Sequence, residues 1–426
     1  MAPARASGHA APPMDDSVAE ASSPAGDAPS SSRAVSGRSR ELGHSRGARP
    51  GPTLVLIGGV HGNEPGGVAA IRAVLGQLGR VEHRGEVVGL AGNLAALERG
   101  VRCNQRDLNR GWSEERLAAL LDADPSTLAN EDLEQRQLAA RLAELSAQAV
   151  GPMAVLDLHS MSGPGAPFTC MADVVRNRKL AFGLPIPVVL GLEEVLDASL
   201  IGWLCEQGHM GIAVEGGRHD DPELQARLEA IIWLSLVSSG LIEAGRVPGL
   251  KAHRARLEKA TEGLPAVVEI EHRHACRDND GFHMEPGFRS FDPVKRRQLL
   301  ARDVRGEVRA PRSGLLLLPR YQGSGDDGFF LVGKVSKAWL GVSAGLRKLE
   351  ASRLLPKLPG VVAHPEDPET FLVDPRTARF KVADVFHLLG YRRVRPDGAQ
   401  LSFSRRRSDG QRPKALPGPR KPPEEG

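Results

Sequence analysis

Two apolar runs that each lead into a histidine constrain this chain more than anything else in it. Leu54-Val55-Leu56-Ile57 passes through Gly58-Gly59 into Val60-His61-Gly62-Asn63-Glu64, and Ala154-Val155-Leu156-Asp157-Leu158 ends in His159-Ser160. Short, continuously apolar runs suit strands covered on both faces, and open α/β sheets hold ligands outside the carboxyl ends of such strands. His61, Glu64 and His159 therefore make a candidate ligand set for one catalytic zinc ion, which takes imidazole nitrogen and carboxylate oxygen and leaves a fourth position to water. His-x-x-Glu alone is a weak signal, and a single strand-terminal histidine is ordinarily a core residue. The order strand, HxxE, helix, then a second strand ending in Asp-Leu-His is what gives the set its weight. Asp157 shares a strand face with His159 and is placed to accept the other N–H of a ligating imidazole, His61 by preference.

The periodicity around these runs predicts the fold. Thr53–Ile57, Val87–Leu90, Val155–His159, Pro187–Leu190 and Ile212–Glu215 read as strands. They alternate with helical patterns beginning at Pro65, Glu131 and Leu224, which predicts an α/β domain with a mixed, largely parallel sheet flanked by helices over residues 51–262. Over 263–338 short strand candidates lie between Gly and Pro, as in Gly306–Pro311 and Gly314–Pro319, so a small all-β module is expected there. Residues 339–403 form an extension of uncertain fold, with a strand and a helix expected within Phe371–Leu389.

Composition limits the partners. Residues 1–50 are rich in Ala, Ser, Pro, Gly and Arg and poor in large apolar side chains, so they are expected to be a disordered tail. The formal net charge of +4 equals the excess of seven Lys/Arg over three acids within residues 404–426. The basic character thus belongs to a second expected disordered tail, and no nucleic-acid partner is expected. No apolar run approaches a membrane span, and Met1-Ala2-Pro3-Ala4-Arg5 opens no secretory h-region. Four scattered cysteines, Cys103, Cys170, Cys205 and Cys276, argue for a reducing cytoplasm rather than a disulfide framework.

Taken together, Gly58-Gly59-Val60-His61-Gly62-Asn63-Glu64, Arg106-Asp107-Leu108-Asn109-Arg110, Asp157-Leu158-His159 and Val214-Glu215-Gly216-Gly217 resemble the succinylglutamate desuccinylase/aspartoacylase family of the zinc carboxypeptidase superfamily. The resemblance runs from about Thr53 to Val335. It implies zinc on His61, Glu64 and His159, a general base and proton shuttle at Glu215, and a substrate-positioning pair at Asn109 and Arg110. By its place before Asn109, Arg102 takes the role of the arginine that polarises the scissile carbonyl, with Arg99 and Arg106 as the other arginines nearby. The activity implied is zinc-dependent hydrolysis of an N-acyl group from an amino acid or similar small anionic carboxylate. A zinc carboxypeptidase acting on small peptides, or a non-catalytic binding protein on the same fold, are the alternatives.

The chemistry of these residues is consistent without the resemblance. A strand-end glutamate can take a proton from water and return it to a leaving amine, unless it is merely paired with Arg218. Arginine is suited to a bidentate carboxylate clamp. Two departures stand out. Aspartoacylases carry a second carboxylate-binding arginine about ten residues before the catalytic glutamate, where this chain has Cys205. They also carry a tyrosine on a late hairpin, where Asp326-Asp327-Gly328-Phe329-Phe330 stands here. Tyr321 is the nearest substitute for the tyrosine, and His209, Arg218 and His219 are the other candidates for setting specificity.

Overall fold

The computed structural model describes residues 39–405 and 412–419, apart from 197, 324, 368, 375, 378–381, 392 and 398–399. Eight strands build the first part of the main sheet: β1 (Glu41–Arg46), β2 (Arg49–Gly58), β3 (Arg84–Ala91), β4 (Met153–Met161), β5 (Phe168–Met171), β6 (Val188–Leu190), β7 (Met210–Arg218) and β8 (Val267–Ala275). Their order is β1-β3-β2-β4-β7-β5-β6-β8. Only the β1–β3 and β5–β7 pairings are antiparallel; β2–β3, β2–β4, β4–β7, β5–β6 and β6–β8 are parallel. This part of the sheet is mixed and largely parallel, as the alternation of patterns predicts.

The alternating side chains of β2 show why both sheet faces are covered. Leu54 and Leu56 pack with Ile71, Val74, Leu228 and Trp233 on one face, from the helices Gly66–Leu78 and Leu224–Ser238. Val55 and Ile57 pack with Leu138, Leu142 and Trp203 on the other, from the helices Asn130–Gln148 and Leu200–Glu206. Successive residues of a strand point to opposite faces, so a strand that is apolar throughout needs helices on both sides.

The later strands are β9 (His283–Met284), β10 (Pro293–Val294), β11 (Leu299–Asp303), β12 (Gly306–Arg309), β13 (Gly314–Leu317) and β14 (Asp327–Lys334). Three of them, in the order β14-β13-β10, extend the main sheet beyond β8 with antiparallel pairing, while β12-β11-β9 form a separate three-stranded sheet. The chain then forms the helix Lys337–Lys348 and a four-stranded antiparallel sheet of β15 (Val361–Ala363), β16 (Thr370–Val373), β17 (Arg393–Asp397) and β18 (Gln400–Ser404) in the order β15-β16-β18-β17. The strand and helix expected within Phe371–Leu389 are β16 and the helix Val382–Leu388. Phe371, Phe386, Tyr391 and Phe403 form the core of this extension. It is tied to the main body by Asp173, whose carboxylate accepts from Arg178 (3.0 Å) and Arg347 (2.7 Å). No helix among the described residues is long and apolar enough to cross a membrane.

Both expected tails are partly ordered. Residues 1–38 lie outside the described residues, but Glu41–Arg46, expected within a disordered tail ending at residue 50, forms β1. Backbone pairing with β3 accounts for this, because main-chain bonds do not depend on apolar composition. Arg40 adds hydrogen bonds to the carbonyls of Ala91 (2.9 Å) and Gly92 (2.6 Å). Within the basic tail, residues 412–419 lie on the body. Leu416 is buried in the cluster that holds Trp112, Trp203 and Leu204. The Lys414 N–H donates to the Gln207 carbonyl (2.7 Å), and His209 Nε2 donates to the Lys414 carbonyl (3.1 Å). Average composition does not register one well-placed leucine, and the neighbouring Pro413, Pro417 and Pro419 reduce the entropy lost on ordering.

Candidate metal centre

The site forms where β2, β4 and β7 lie side by side. The chain leaving β2 turns sharply over residues 59–64 before the helix Gly66–Leu78 begins. Gly62 is required here by close approach: a β-carbon would meet the Ala96 carbonyl carbon at 2.0 Å. The Gly62 N–H donates to the Arg102 carbonyl (3.1 Å), and the Glu64 N–H closes back on the His61 carbonyl (3.1 Å). His159 sits near the end of β4, in register with Glu215 of β7.

His61, Glu64 and His159 are all buried, and one donor atom from each lies within 4.8 Å of the others. Glu64 joins the two imidazoles, with Oε1 2.8 Å from His61 Nδ1 and Oε2 3.1 Å from His159 Nδ1. The Nε2 atoms point away from this centre. His61 Nε2 lies 2.9 Å from Asp107 Oδ1, and His159 Nε2 lies 2.9 Å from Asp157 Oδ2. Asp157 is therefore matched to His159, not to His61 as the sequence suggests. Both residues belong to β4, and facing i, i+2 side chains meet more readily than side chains on neighbouring strands. Asp107, which stands inside the Arg106–Arg110 motif, is the carboxylate behind His61, a role its sequence position alone does not reveal.

The donor set fits a divalent cation of the zinc type. Two nitrogens and one carboxylate converge, and each imidazole has its second nitrogen held by a carboxylate, the arrangement that orients metal-ligating histidines. Burial alone would raise the Glu64 carboxyl, but His61 and His159 hold it well below the usual range. Burial would likewise raise Asp107; His61 and Arg102 hold it well down. Asp107→Asn keeps the size and removes the charge. It is expected to weaken metal affinity by roughly 10- to 100-fold, read by competition with a chelator, with little change in melting temperature.

A cavity of about 140 Å³ opens at this centre, lined by the three metal-set residues together with Arg102, Asn109, Arg110 and Glu215. Met161, Cys170, Ala213 and Phe330 supply apolar wall. Of the three arginines considered before Asn109, only Arg102 lines the cavity. It donates to Asp107 (2.7 Å) and lies 3.7 Å from Glu64. Arg99 bonds Asn104, and Arg106 is engaged with Asp132 and Gln135. Asn109 uses its side-chain oxygen to accept from the Leu200 N–H (3.0 Å). Arg110 lies 3.4 Å from Asp327, which also pairs with Arg273.

Glu215 Oε2 is buried without a hydrogen-bond partner. Burial pushes its carboxyl up to about 7, a shift opposed by His159 and reinforced by Glu64. Arg218, the residue that offered Glu215 an ordinary ion pair, is half-exposed and pairs with Asp220. His219 does line the cavity, with Nδ1 2.7 Å from Ser160 Oγ. Cys205, His209 and Tyr321 do not line it. Cys205 is fully buried against Asn177, and the Tyr321 hydroxyl is bonded to the backbone of Glu285 and Phe288.

Comparison with known proteins supports the resemblance. Residues 50–174 match the family model described as succinylglutamate desuccinylase/aspartoacylase catalytic domain, a span that contains every site residue named from the motifs except Glu215. No curated protein sequence matches the chain. Among solved structures, the product-bound ectoine utilization protein EutE (DoeB) from Ruegeria pomeroyi is similar, with TM-score 0.50 and 18% identity over 67% of this chain and 86% of that one. A succinylglutamate desuccinylase/aspartoacylase from Rhodobacter sphaeroides is similar with TM-score 0.50 and 19% identity over 69% of this chain and 88% of that one. At such identities the likeness establishes a shared fold.

Proposed function

We propose that this chain is a zinc-dependent amidohydrolase that removes an N-acyl group from an amino acid or similar small carboxylate. The observation that carries the reading is the convergence of His61, Glu64 and His159 in one small cavity with Glu215, whose Oε2 is buried and without a hydrogen-bond partner. The family match over residues 50–174 supports it, and so do the two structural relatives, a desuccinylase/aspartoacylase and an ectoine utilization protein. One zinc ion held by the three ligands supplies the Lewis acidity that makes hydrolysis feasible near neutral pH.

The chain's own groups do the rest. Glu215 takes a proton from the attacking water as its oxygen bonds to the acyl carbon. When the C–N bond breaks, that proton goes to the leaving nitrogen, so a free carboxylic acid and an amine result. Arg102 is preorganised by Asp107 and faces the oxygen on which negative charge develops. Arg110 and Asn109 hold the substrate carboxylate, the first by charge and the second by a neutral hydrogen bond. None of the four cysteines is in a disulfide, as suits work in a reducing cytoplasm.

The test is a hydrolysis screen on purified, zinc-loaded protein with N-acetyl and N-succinyl amino acids, run beside dipeptides. Release of free amine from the N-acyl substrates at rates at least about 100-fold above the dipeptides is expected. Turnover of dipeptides alone would replace this reading with a carboxypeptidase, and a zinc-loaded protein inert on every compound would leave a binding protein.

A further inference from the structure

The turn that carries Asn109 and Arg110 is held in shape by groups behind the cavity wall. Asn109 Oδ1 accepts from the N–H of Leu200, the first residue of the helix Leu200–Glu206. That leaves Nδ2 as the amide's donor at the cavity Asn109 lines. Two residues after Arg110, the Trp112 N–H donates to the Ala198 carbonyl (2.9 Å), and its indole N–H donates to the Leu108 carbonyl (2.7 Å). Trp112 also lies against Trp203 of the same helix, with ring centroids 5.3 Å apart. Asn109 is therefore aimed correctly only while two segments, 108–114 and 198–209, keep one relative position.

Residues 412–419 of the basic tail bind both segments. Leu416 is the one buried residue among them, at 7% exposure, and it belongs to the same apolar cluster as Leu108, Trp112, Leu200 and Trp203. Beside it, the Lys414 main chain is bonded to Gln207 and His209. Lys414 Nζ lies 3.4 Å from Glu114 Oε1, which also accepts from Gln207 Nε2 (2.9 Å). The tail thus joins the first turn of the helix Glu114–Asp122 to the end of the helix Leu200–Glu206. The exposed lysine pair contributes little, so burial of Leu416 is the main hold. No residue of 412–419 lines the cavity. We propose that this stretch is a strap that positions Asn109 and Arg110 for the substrate carboxylate, with Leu416 as the positioning residue. The inference rests on the amidohydrolase reading, which gives the Asn109–Arg110 pair its ligand. That carboxylate keeps its charge through the reaction, so a loosened pair weakens ground state and transition state alike, and the loss appears in KM, not in kcat.

The test compares full-length, zinc-loaded wild type with Leu416→Asp, which expels the strap, and Leu416→Met, which keeps an apolar side chain of similar volume. On the N-acyl amino acid that the hydrolysis screen shows to be cleaved fastest, Leu416→Asp is expected to raise KM by about 10-fold while kcat stays within a few fold. Zinc content should be unchanged, and Leu416→Met should stay close to the wild type. Acrylamide should quench the tryptophan emission of Leu416→Asp more strongly, because Trp112 and Trp203 lose their cover. An unchanged KM in Leu416→Asp overturns the proposal, whether the tryptophans become accessible or not. So does a joint fall of kcat, zinc content and melting temperature, which assigns the strap to general support of the fold. Should Leu416→Asp not fold, Leu416→Ala is read by the same criteria. If the wild type hydrolyses nothing in the screen, the amidohydrolase reading falls. N-acetylglycine titrated calorimetrically into the zinc-loaded wild type and Leu416→Asp then decides on the strap. Binding weakened by about 10-fold in the variant supports it, and equal or absent binding overturns it.

Discussion

Replacing His159 with alanine is expected to remove bound zinc and reduce hydrolysis to background, and replacing His61 is expected to do the same. With two ligands left of three, a catalytic site holds its metal too weakly to survive dialysis. The two variants should differ in stability, and the difference follows from the carboxylates behind them. Without His61, Asp107 keeps Arg102 at 2.7 Å and the Asn109 N–H at 2.8 Å. Without His159, Asp157 is fully buried with Oδ2 deprived of its imidazole and Oδ1 already without a partner. Stranding a buried carboxylate in this way costs about 3 kcal/mol or more. His159→Ala should therefore melt well below the metal-free wild type, whereas His61→Ala should lie much closer to it. Thermal unfolding in the presence of a chelator, beside metal analysis, checks both points. Stoichiometric zinc and retained activity in either variant would remove that histidine from the ligand set.

What was legible in the sequence was whatever the chain encodes over a few residues. His61 and Glu64 are three apart on a tight turn, and His159 closes a strand whose apolar run is plain, so the candidate ligand set and the sheet that carries it follow from local pattern. The groups that escaped depend on contacts between distant segments. The partition of Asp107 and Asp157 between the two imidazoles is decided by which side chains face each other across the assembled site. The ordering of Glu41–Arg46 depends on backbone bonds to β3, and that of residues 412–419 on one leucine seated beside two tryptophans. Composition averages over such single contacts. The strands of residues 263–338 were visible one by one from their turns. Their joining of the main sheet through the β8–β14 pairing was not, because edge pairing leaves no periodic trace of its own.

Glu215→Gln is expected to keep zinc bound while turnover falls by roughly 10²- to 10⁴-fold, since the amide fills the same space and cannot take a proton. The same substitution should also change how the metal-free protein responds to pH. Burial holds the Glu215 carboxyl near 7 in the folded chain, against 4.5 for the ordinary group. Between those values the unfolded chain is ionised and the folded one keeps its proton. Folding stability from this residue is thus fully present below about pH 4.5 and is lost as pH rises through about 7, by roughly 3 kcal/mol in all. The metal-free wild type should melt lower at pH 8 than at pH 5 by more than Glu215→Gln does. Bound zinc places a positive charge beside the carboxyl and favours its ionised form, so loading the metal should flatten the slope and free the base for work at neutral pH. Two measurements separate the roles: kcat of the zinc-loaded variant, and melting temperature against pH for both metal-free proteins. Wild-type turnover in Glu215→Gln would reassign the residue to structure. An unchanged pH slope would mean that its proton is not the one the fold retains.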